Sequence, residues 1–428
     1  MLTRLDLRGV TGDLSSMLPR PPAIGAGPVA AVRAILAEVA EGGDDAVRAC
    51  TERFDKVRID ALEVPREALA AALAAIPNAL RVALEVAAAS IAAYQRATVA
   101  PEVTYEKDGI LVRDLRRPVD RAGCYVPGGR ATYPSTVLMT AIPAKVAGVA
   151  EVVLCVPPSA DGSVPDEVLA AAAIAGVDRV FRIGGAQAIA AMAYGTGSVP
   201  AVDVIVGPGN IYVAIAKREV AGAGVVGVPS SFAGPSEVVV VADGSSSVRD
   251  AAIDVVVQAE HGPDGLAWLI TWDEAVADAV SAEVARIVEA SPRRTDIEST
   301  LRAGGRAVIC DGPEQAMAIS NLIAPEHLEL QVADPEALLP LVRHAGAVFT
   351  GGYAPASVGD YLAGPSHVLP TNGSARFASA LAVDDFVKHV HVVSLDGPTL
   401  ARVAEHVVAI ATAEGLDAHA RSVQRRGS

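Results

Sequence analysis

The chain has 428 residues, with 35 Lys plus Arg against 50 Asp plus Glu and a formal charge of −15. That acidic balance argues against a nucleic-acid backbone as partner, which a basic surface would have to hold. Hydrophobic residues make up 51% and mean hydropathy is +0.36, yet the best apolar stretch, Val137 to Val156, is broken by Pro143, Lys145 and Glu151 and falls short of the roughly 20 apolar residues of a membrane span.

Much of the apolar count is alanine, the best helix former. The N-terminal sequence has neither the apolar segment nor the small-residue cleavage site of a secretory signal. Cys50, Cys124, Cys155 and Cys310 are scattered with no CxxC, which leaves no disulfide framework or thiolate zinc finger. The expectation is a soluble cytoplasmic enzyme of about two to four domains.

Helical spacing runs from Pro28 to Val39 and stops at Gly42-Gly43. An Ala-rich stretch from Pro65 to Ala100 is punctuated by Pro77. From Arg121, short apolar runs alternate with helical patterns: Cys124-Val126, Val152-Val156, Val180-Ile183, Val202-Val206, Val238-Val241, Trp268-Thr271, Ala307-Cys310 and Ala347-Phe349. This is the rhythm of parallel sheets covered by helices, as one wide sheet or two smaller ones. The Gly/Pro/Ser-rich stretch Gly222 to Ser236 favours two. A short strand, Val390-Val393, and then helix close the chain.

Two glycine motifs imitate a dinucleotide fingerprint. Gly222, Gly224 and Gly227 form a literal GxGxxG, but helix precedes them and Pro229 follows, whereas the fingerprint needs strand before and helix after. Gly25-Ala-Gly27 lies behind Pro19, Pro21 and Pro22, poor strand material. Three strand exits are better placed: Tyr125-Val-Pro-Gly-Gly129, Gly184-Gly-Ala-Gln187 and Gly207-Pro-Gly-Asn210. Successive Gly-rich exits make a rim at the carboxyl ends of a parallel sheet, where helix N-termini favour an anionic, nucleotide-like ligand. Any one of them is also what an ordinary αβ turn requires.

The titratable candidates have competing readings. His261, in Gln258-Ala-Glu-His261-Gly-Pro-Asp, shares a helix face with Gln258 and suits either a helix end or a zinc ligand. Glu326-His327 before Leu328-Gln331 is an acid/base pair or a polar loop. Asp360 follows small residues. His367 and His419 lie near Pro and Gly turns, and His389 and His391 share one face of a short strand, as an edge face or a metal pair. His344 and His406 sit on helical patterns facing solvent. Cys124 is a core residue or an aldehyde-attacking thiol.

Taken together, Tyr125-Val-Pro-Gly-Gly129, Gly184-Gly-Ala-Gln187-Ala-Ile, Val206-Gly-Pro-Gly-Asn210, Ala233-Gly-Pro-Ser236-Glu, Gln258-Ala-Glu-His261-Gly-Pro-Asp, Ala324-Pro-Glu326-His327-Leu and His367-Val-Leu-Pro-Thr resemble histidinol dehydrogenase, in that family's order and spacing from about residue 25 to 425. The resemblance implies an α/β fold of two incomplete Rossmann-like domains, one inserted in the other, with small N- and C-terminal helical segments. The boundaries expected are 1–25 for the N-terminal segment, 26–120 with 235–380 for one domain, 121–234 for the other, and 381–428 for the C-terminal segment.

It further implies a homodimeric zinc enzyme that oxidises L-histidinol to L-histidine with two NAD+. Zinc, one per subunit, would be held by Gln258, His261, Asp360 and His419, the last supplied by the partner subunit. Ser236, Gln258, His261, His327, Asp360, Glu414 and His419 would line the substrate pocket, with His367 close by. Tyr125, Gln187 and Asn210 would contact NAD, and Glu326 and His327 would do the acid/base chemistry. Two other readings stand beside this: a paralogue acting on another primary alcohol, and a non-catalytic binder of small molecules.

Overall fold

The computed structural model describes residues 1–19, 26–128, 131–229, 236–260 and 265–426. Strand β1 (Thr3–Asp6) opens the chain, and helices Ala26–Asp55, Arg66–Ala75 and Asn78–Thr98 follow. The helical run breaks at the expected stop: within Ala26–Asp55, Gly43 takes a non-helical φ of 56° and ψ of −135°, so two helices meet there at a kink. Pro65 and Pro77 each stand just before a helix start, where the missing N–H costs no intrahelical bond.

β2 (Val103–Lys107) and β3 (Ile110–Pro118) form a hairpin that the apolar pattern does not reveal, because β2 is exposed along its whole length. β4 (Arg121–Tyr125), β5 (Glu151–Val156), β6 (Arg179–Arg182) and β7 (Val204–Val206) alternate with helices. So do β8 (Glu237–Ala242), β9 (Leu266–Thr271), β10 (Gly305–Ile309), β11 (His327–Gln331) and β12 (Ala347–Thr350). β13 (Val387–Ser394) precedes helices Gly397–Ala413 and Asp417–Gln424.

Among the described residues these strands make three sheets. Six parallel strands run in the order β1-β10-β9-β8-β11-β12, and four in the order β6-β5-β4-β7. The third sheet, β13-β3-β2, is antiparallel. Because β1 precedes the four-stranded unit and β8 follows it, one parallel unit is inserted in the other. Strands buried on both faces read as continuous apolar runs, and β8 (Glu-Val-Val-Val-Val-Ala) is buried at every position. Alternate residues feed opposite faces: Val152 and Leu154 join one core cluster, Val153 and Cys155 another.

One boundary differs from the sequence expectation. Residues 26–120 were to accompany the six-stranded sheet, but helix Ala26–Asp55 packs on helices Gly185–Tyr194 and Ile211–Gly222, and the next two helices pack on Asp166–Ala175 and Pro134–Ala147. The cause is burial: Val32, Leu36, Val39 and Val47 complete the cluster that Val153, Phe181 and Ile205 begin on the four-stranded sheet. The literal GxGxxG is a connector, with Gly227 bridged to Val204 beside β7. No single helix among the described residues is long and apolar enough to cross a membrane.

Each parallel sheet has one point where the chain reverses direction of growth. From β4 it extends through β5 and β6 on one side and to β7 on the other; from β8 it extends through β9 and β10, then through β11 and β12. Ligand crevices form at such switch points.

Candidate active site

The titratable candidates gather at the amino ends of β8 and β11. The register pairs His327 with Val238, which puts Glu326 opposite Glu237. The two residues are joined reciprocally: the Glu237 N–H donates to Glu326 Oε2 at 2.9 Å and the Glu326 N–H to Glu237 Oε2 at 3.3 Å. His327 is only 3% exposed. Its Nδ1 lies 3.0 Å from the Glu237 carbonyl oxygen and 3.4 Å from Glu326 Oε2. Two acceptors around Nδ1 require the proton there, so Nε2 is the nitrogen that gains or loses the second proton. Nε2 faces Asp360 Oδ1 at 3.4 Å, without a hydrogen-bond partner among the described residues. Burial disfavours the charged ring, but Glu326 and Asp360 outweigh it and hold His327 well above the ordinary histidine range. Burial, and then the Glu326 charge, push Glu237 up to about 8.

Gln258 enters the same cluster from the C-terminal turn of helix Val248–Ala259, its amide nitrogen 3.5 Å from His327 Nδ1. Asp360 rides on a short helix, Ala356–Tyr361, that forms despite the small residues before it. Gly359 allows that helix to come close: a Cβ there would meet the Phe349 ring at 2.5 Å, and Phe349 in turn stacks on His327 with centroids 5.9 Å apart. The helix start is tied below by Glu329 Oε1, which accepts the Ala356 N–H at 3.1 Å. Gln331 Nε2 then links Glu329 to Asp254 at 2.8 and 2.6 Å. Asp254 lies one turn before Gln258 on the same helix, so one buried network holds the helices that carry Gln258 and Asp360.

His367 connects this edge to the four-stranded sheet. Its Nδ1 donates to the Asp360 carbonyl at 3.0 Å, and its Nε2 lies 3.0 Å from Thr136 Oγ1. Burial holds His367 below the ordinary range, so its neutral Nε2 accepts from the hydroxyl. Thr136 sits in the first turn of the helix that follows β4. Beside this bridge opens a cavity of about 720 Å³, bounded by Tyr133, Ser135 and Leu138 on one side and Val257, Glu260 and Tyr361 on the other.

Tyr125, Gln187 and Asn210 stand at the carboxyl ends of the four-stranded sheet. The Tyr125 hydroxyl accepts the Gly185 N–H at 3.1 Å and Gln187 Nε2 reaches Asp55 Oδ2 at 3.4 Å. Asn210 caps helix Ile211–Gly222, its Oδ1 accepting from Tyr212 and Val213 N–H at 3.0 and 3.2 Å. Gly207 brings two exits together: with φ 108°, a Cβ there would lie 2.0 Å from the Tyr125 carbonyl oxygen.

Not all expected residues meet. His261 lies outside the described residues. Ser236, just before β8, accepts the Leu266 N–H through its carbonyl at 3.1 Å and so stands at the amino edge. Glu414 and His419 are exposed on the C-terminal helices, and neither bonds to Gln258, Glu326, His327 or Asp360 among the described residues. No three of His, Cys, Asp and Glu converge as a metal cluster among the described residues. His344 lies in an irregular segment instead of a helix, while His389 and His391 face Asp114 at 2.8 and 3.8 Å on the exposed edge strand β13. Cys124 is fully buried and its thiol is pushed up to about 12, which rules against an activated nucleophile.

Sequence reasoning assigned no role to Glu237 or Lys217. Lys217 is fully buried, donates to the Gly207 carbonyl at 2.7 Å, and is lowered to about 7 by burial. A charged residue heading a four-valine run was the available signal for Glu237; a lysine inside an apolar helix face was the signal for Lys217.

The family model for histidinol dehydrogenase matches residues 25–427. The chain belongs to the histidinol dehydrogenase family. It is accordingly an oxidoreductase. A histidinol dehydrogenase of Parasynechococcus marenigrum is 50% identical over 396 residues, covering 92% of this chain and 90% of that one. One of Pseudomonas aeruginosa is 49% identical over 396 residues, covering 92% and 89%. The crystal structure of histidinol dehydrogenase from Elizabethkingia anophelis superposes with a TM-score of 0.94 at 32% identity, covering 99% of this chain and 98% of that one.

Proposed function

We propose that the protein oxidises L-histidinol to L-histidine through histidinaldehyde, with zinc at the amino edge of the six-stranded sheet and NAD+ at the carboxyl edge of the four-stranded one. The observation that carries this reading is the buried Glu326–His327 pair, with His327 Nε2 aimed at Asp360 beside Gln258. An orphaned buried nitrogen next to a carboxylate and an amide, with no thiolate among them, fits a site built for a cation and a substrate together.

Gln258, His261 and Asp360 of one subunit would hold zinc with His419 from the partner subunit. When bound, zinc would fix the substrate's nitrogens and polarise its hydroxyl. His327 Nε2 then takes the hydroxyl proton as a hydride leaves the carbinol carbon for NAD+. Glu326 takes a proton from water as its oxygen adds to the aldehyde; the hydrate gives a second hydride to a second NAD+, and the acid results. Glu414 pairs with the substrate's amine, Ser236 lines the pocket with His367 close by, and Tyr125, Gln187 and Asn210 contact the dinucleotide.

A homodimer supports the shared site. Val390, Val393 and Ile410 on β13 and the C-terminal helix, with Leu395 and Leu416 beside them, are exposed apolar residues, a surface that a second copy would cover. Steady-state turnover of the zinc-loaded protein with histidinol against a panel of short primary alcohols tests the reading. Strong preference for histidinol is expected; equal or better turnover of another alcohol would favour the paralogue, and no NADH from any of them the binder.

A further inference from the structure

Glu237 is 4% exposed at the head of β8, a strand buried at every position. Burying a carboxyl there is costly unless its oxygens are held, and each of them accepts one backbone N–H. Oε1 accepts the Asn372 N–H at 2.9 Å and Oε2 the Glu326 N–H at 3.3 Å. The residue's own N–H holds Glu326 Oε2, and its carbonyl holds His327 Nδ1. One residue therefore fixes the peptide and carboxylate of Glu326 and the tautomer of His327. Its side chain also ties in Asn372, which adopts a left-handed φ of 56° five residues after His367.

We propose that Glu237 is a positioning residue for the Glu326–His327 pair: its carboxyl holds the Glu326 peptide against β8, which keeps the Glu326 carboxylate on the Glu237 N–H. The proposal rests on the reading of Glu326 as the group that activates water. A slack Glu326 peptide lets the carboxylate drift from the hydration geometry, and displacements of that size slow a step by one to two orders of magnitude. The alcohol step depends on His327 Nε2, whose tautomer is set by a backbone carbonyl that side-chain substitution leaves in place.

Glu237→Gln keeps the shape and one good acceptor while losing the other, and Glu237→Ala loses both. In the full-length, zinc-loaded protein, single-turnover NADH formation from histidinol and from histidinaldehyde is followed separately, with zinc content, melting temperature and KM for both substrates. Glu237→Gln is expected to slow aldehyde oxidation about 10-fold and Glu237→Ala about 100-fold. Alcohol oxidation by Glu237→Gln stays within about two-fold, with zinc, melting temperature and both KM values unchanged. An equal fall in both steps, tracking lost zinc or lost melting temperature, overturns the proposal. Glu326→Gln separates the two layers. If it spares aldehyde oxidation, the reading of Glu326 falls and this proposal with it. If it abolishes aldehyde oxidation while Glu237→Gln leaves that step untouched, only the proposal falls. Should Glu237→Ala not fold, the isosteric Gln variant decides.

Discussion

In the four-stranded sheet the candidate residues stand at strand carboxyl ends, on Gly-rich exits that lead into helix N-termini. In the six-stranded sheet they stand at the amino ends of β8 and β11, where helix Val248–Ala259 finishes and carboxylates and carbonyls face inward. Parallel αβ architecture makes the first edge electropositive and the second electronegative. The proposed ligands divide accordingly: an anionic dinucleotide at one edge, a cation and the substrate's ammonium at the other. His367 joins the two through Asp360 and Thr136, so the edges face each other across one cleft. A switch point alone does not say which end of a sheet carries the chemistry; the charge the ligand brings decides.

The contrast can be broken most strongly at the amino edge. Glu326→Gln should slow aldehyde oxidation about 10²–10⁴-fold in single-turnover assays, and a loss confined to NAD+ affinity would move the chemistry to the other sheet. Next comes the shared-site claim. His419→Ala and His327→Asn proteins should each be inactive, and random mixing of their subunits should restore about a quarter of wild-type activity, one intact site in each mixed dimer. No recovery would place the last ligand within one subunit.

At the carboxyl edge, Gly207→Ala should cost about 1–3 kcal/mol in urea unfolding and raise KM for NAD+ while leaving zinc content unchanged. The smallest effect is a pair of opposite pH slopes. Glu237, at about 8 when folded against 4.5 ordinarily, keeps a proton that the unfolded chain releases, so its contribution falls as pH rises between those values. Lys217, at about 7 against 10.5, leaves the unfolded chain holding the extra proton, so its contribution grows with pH across that window. Unfolding midpoints of Glu237→Gln and Lys217→Met against wild type should each lose one slope; the same slope in both would contradict the assignment.

The two edges also differ in how far they can be read from sequence. The Gly-rich exits are local: strand, turn and helix lie within about ten residues, and the buried strands declare themselves as valine runs. β1 and β2 do not, being short or exposed. Nor does the seating of residues 26–98, since an amphipathic helix does not say which sheet its stripe covers. At the amino edge the decisive contacts join residues far apart in the chain, Glu237 to Glu326 and Gln258 to His327. Only the family's motif order brought those residues together beforehand. Glu237, heading a valine run, is marked by the sequence only as a buried charge; that its carboxyl acts on peptide groups leaves no mark in side-chain patterns.

The most direct measurement is the NADH yield per histidinol consumed by the zinc-loaded protein at completion. A four-electron oxidation, in which Glu326 and His327 serve successive steps at one edge, gives a ratio near two. A ratio of one, with aldehyde accumulating, would contradict it.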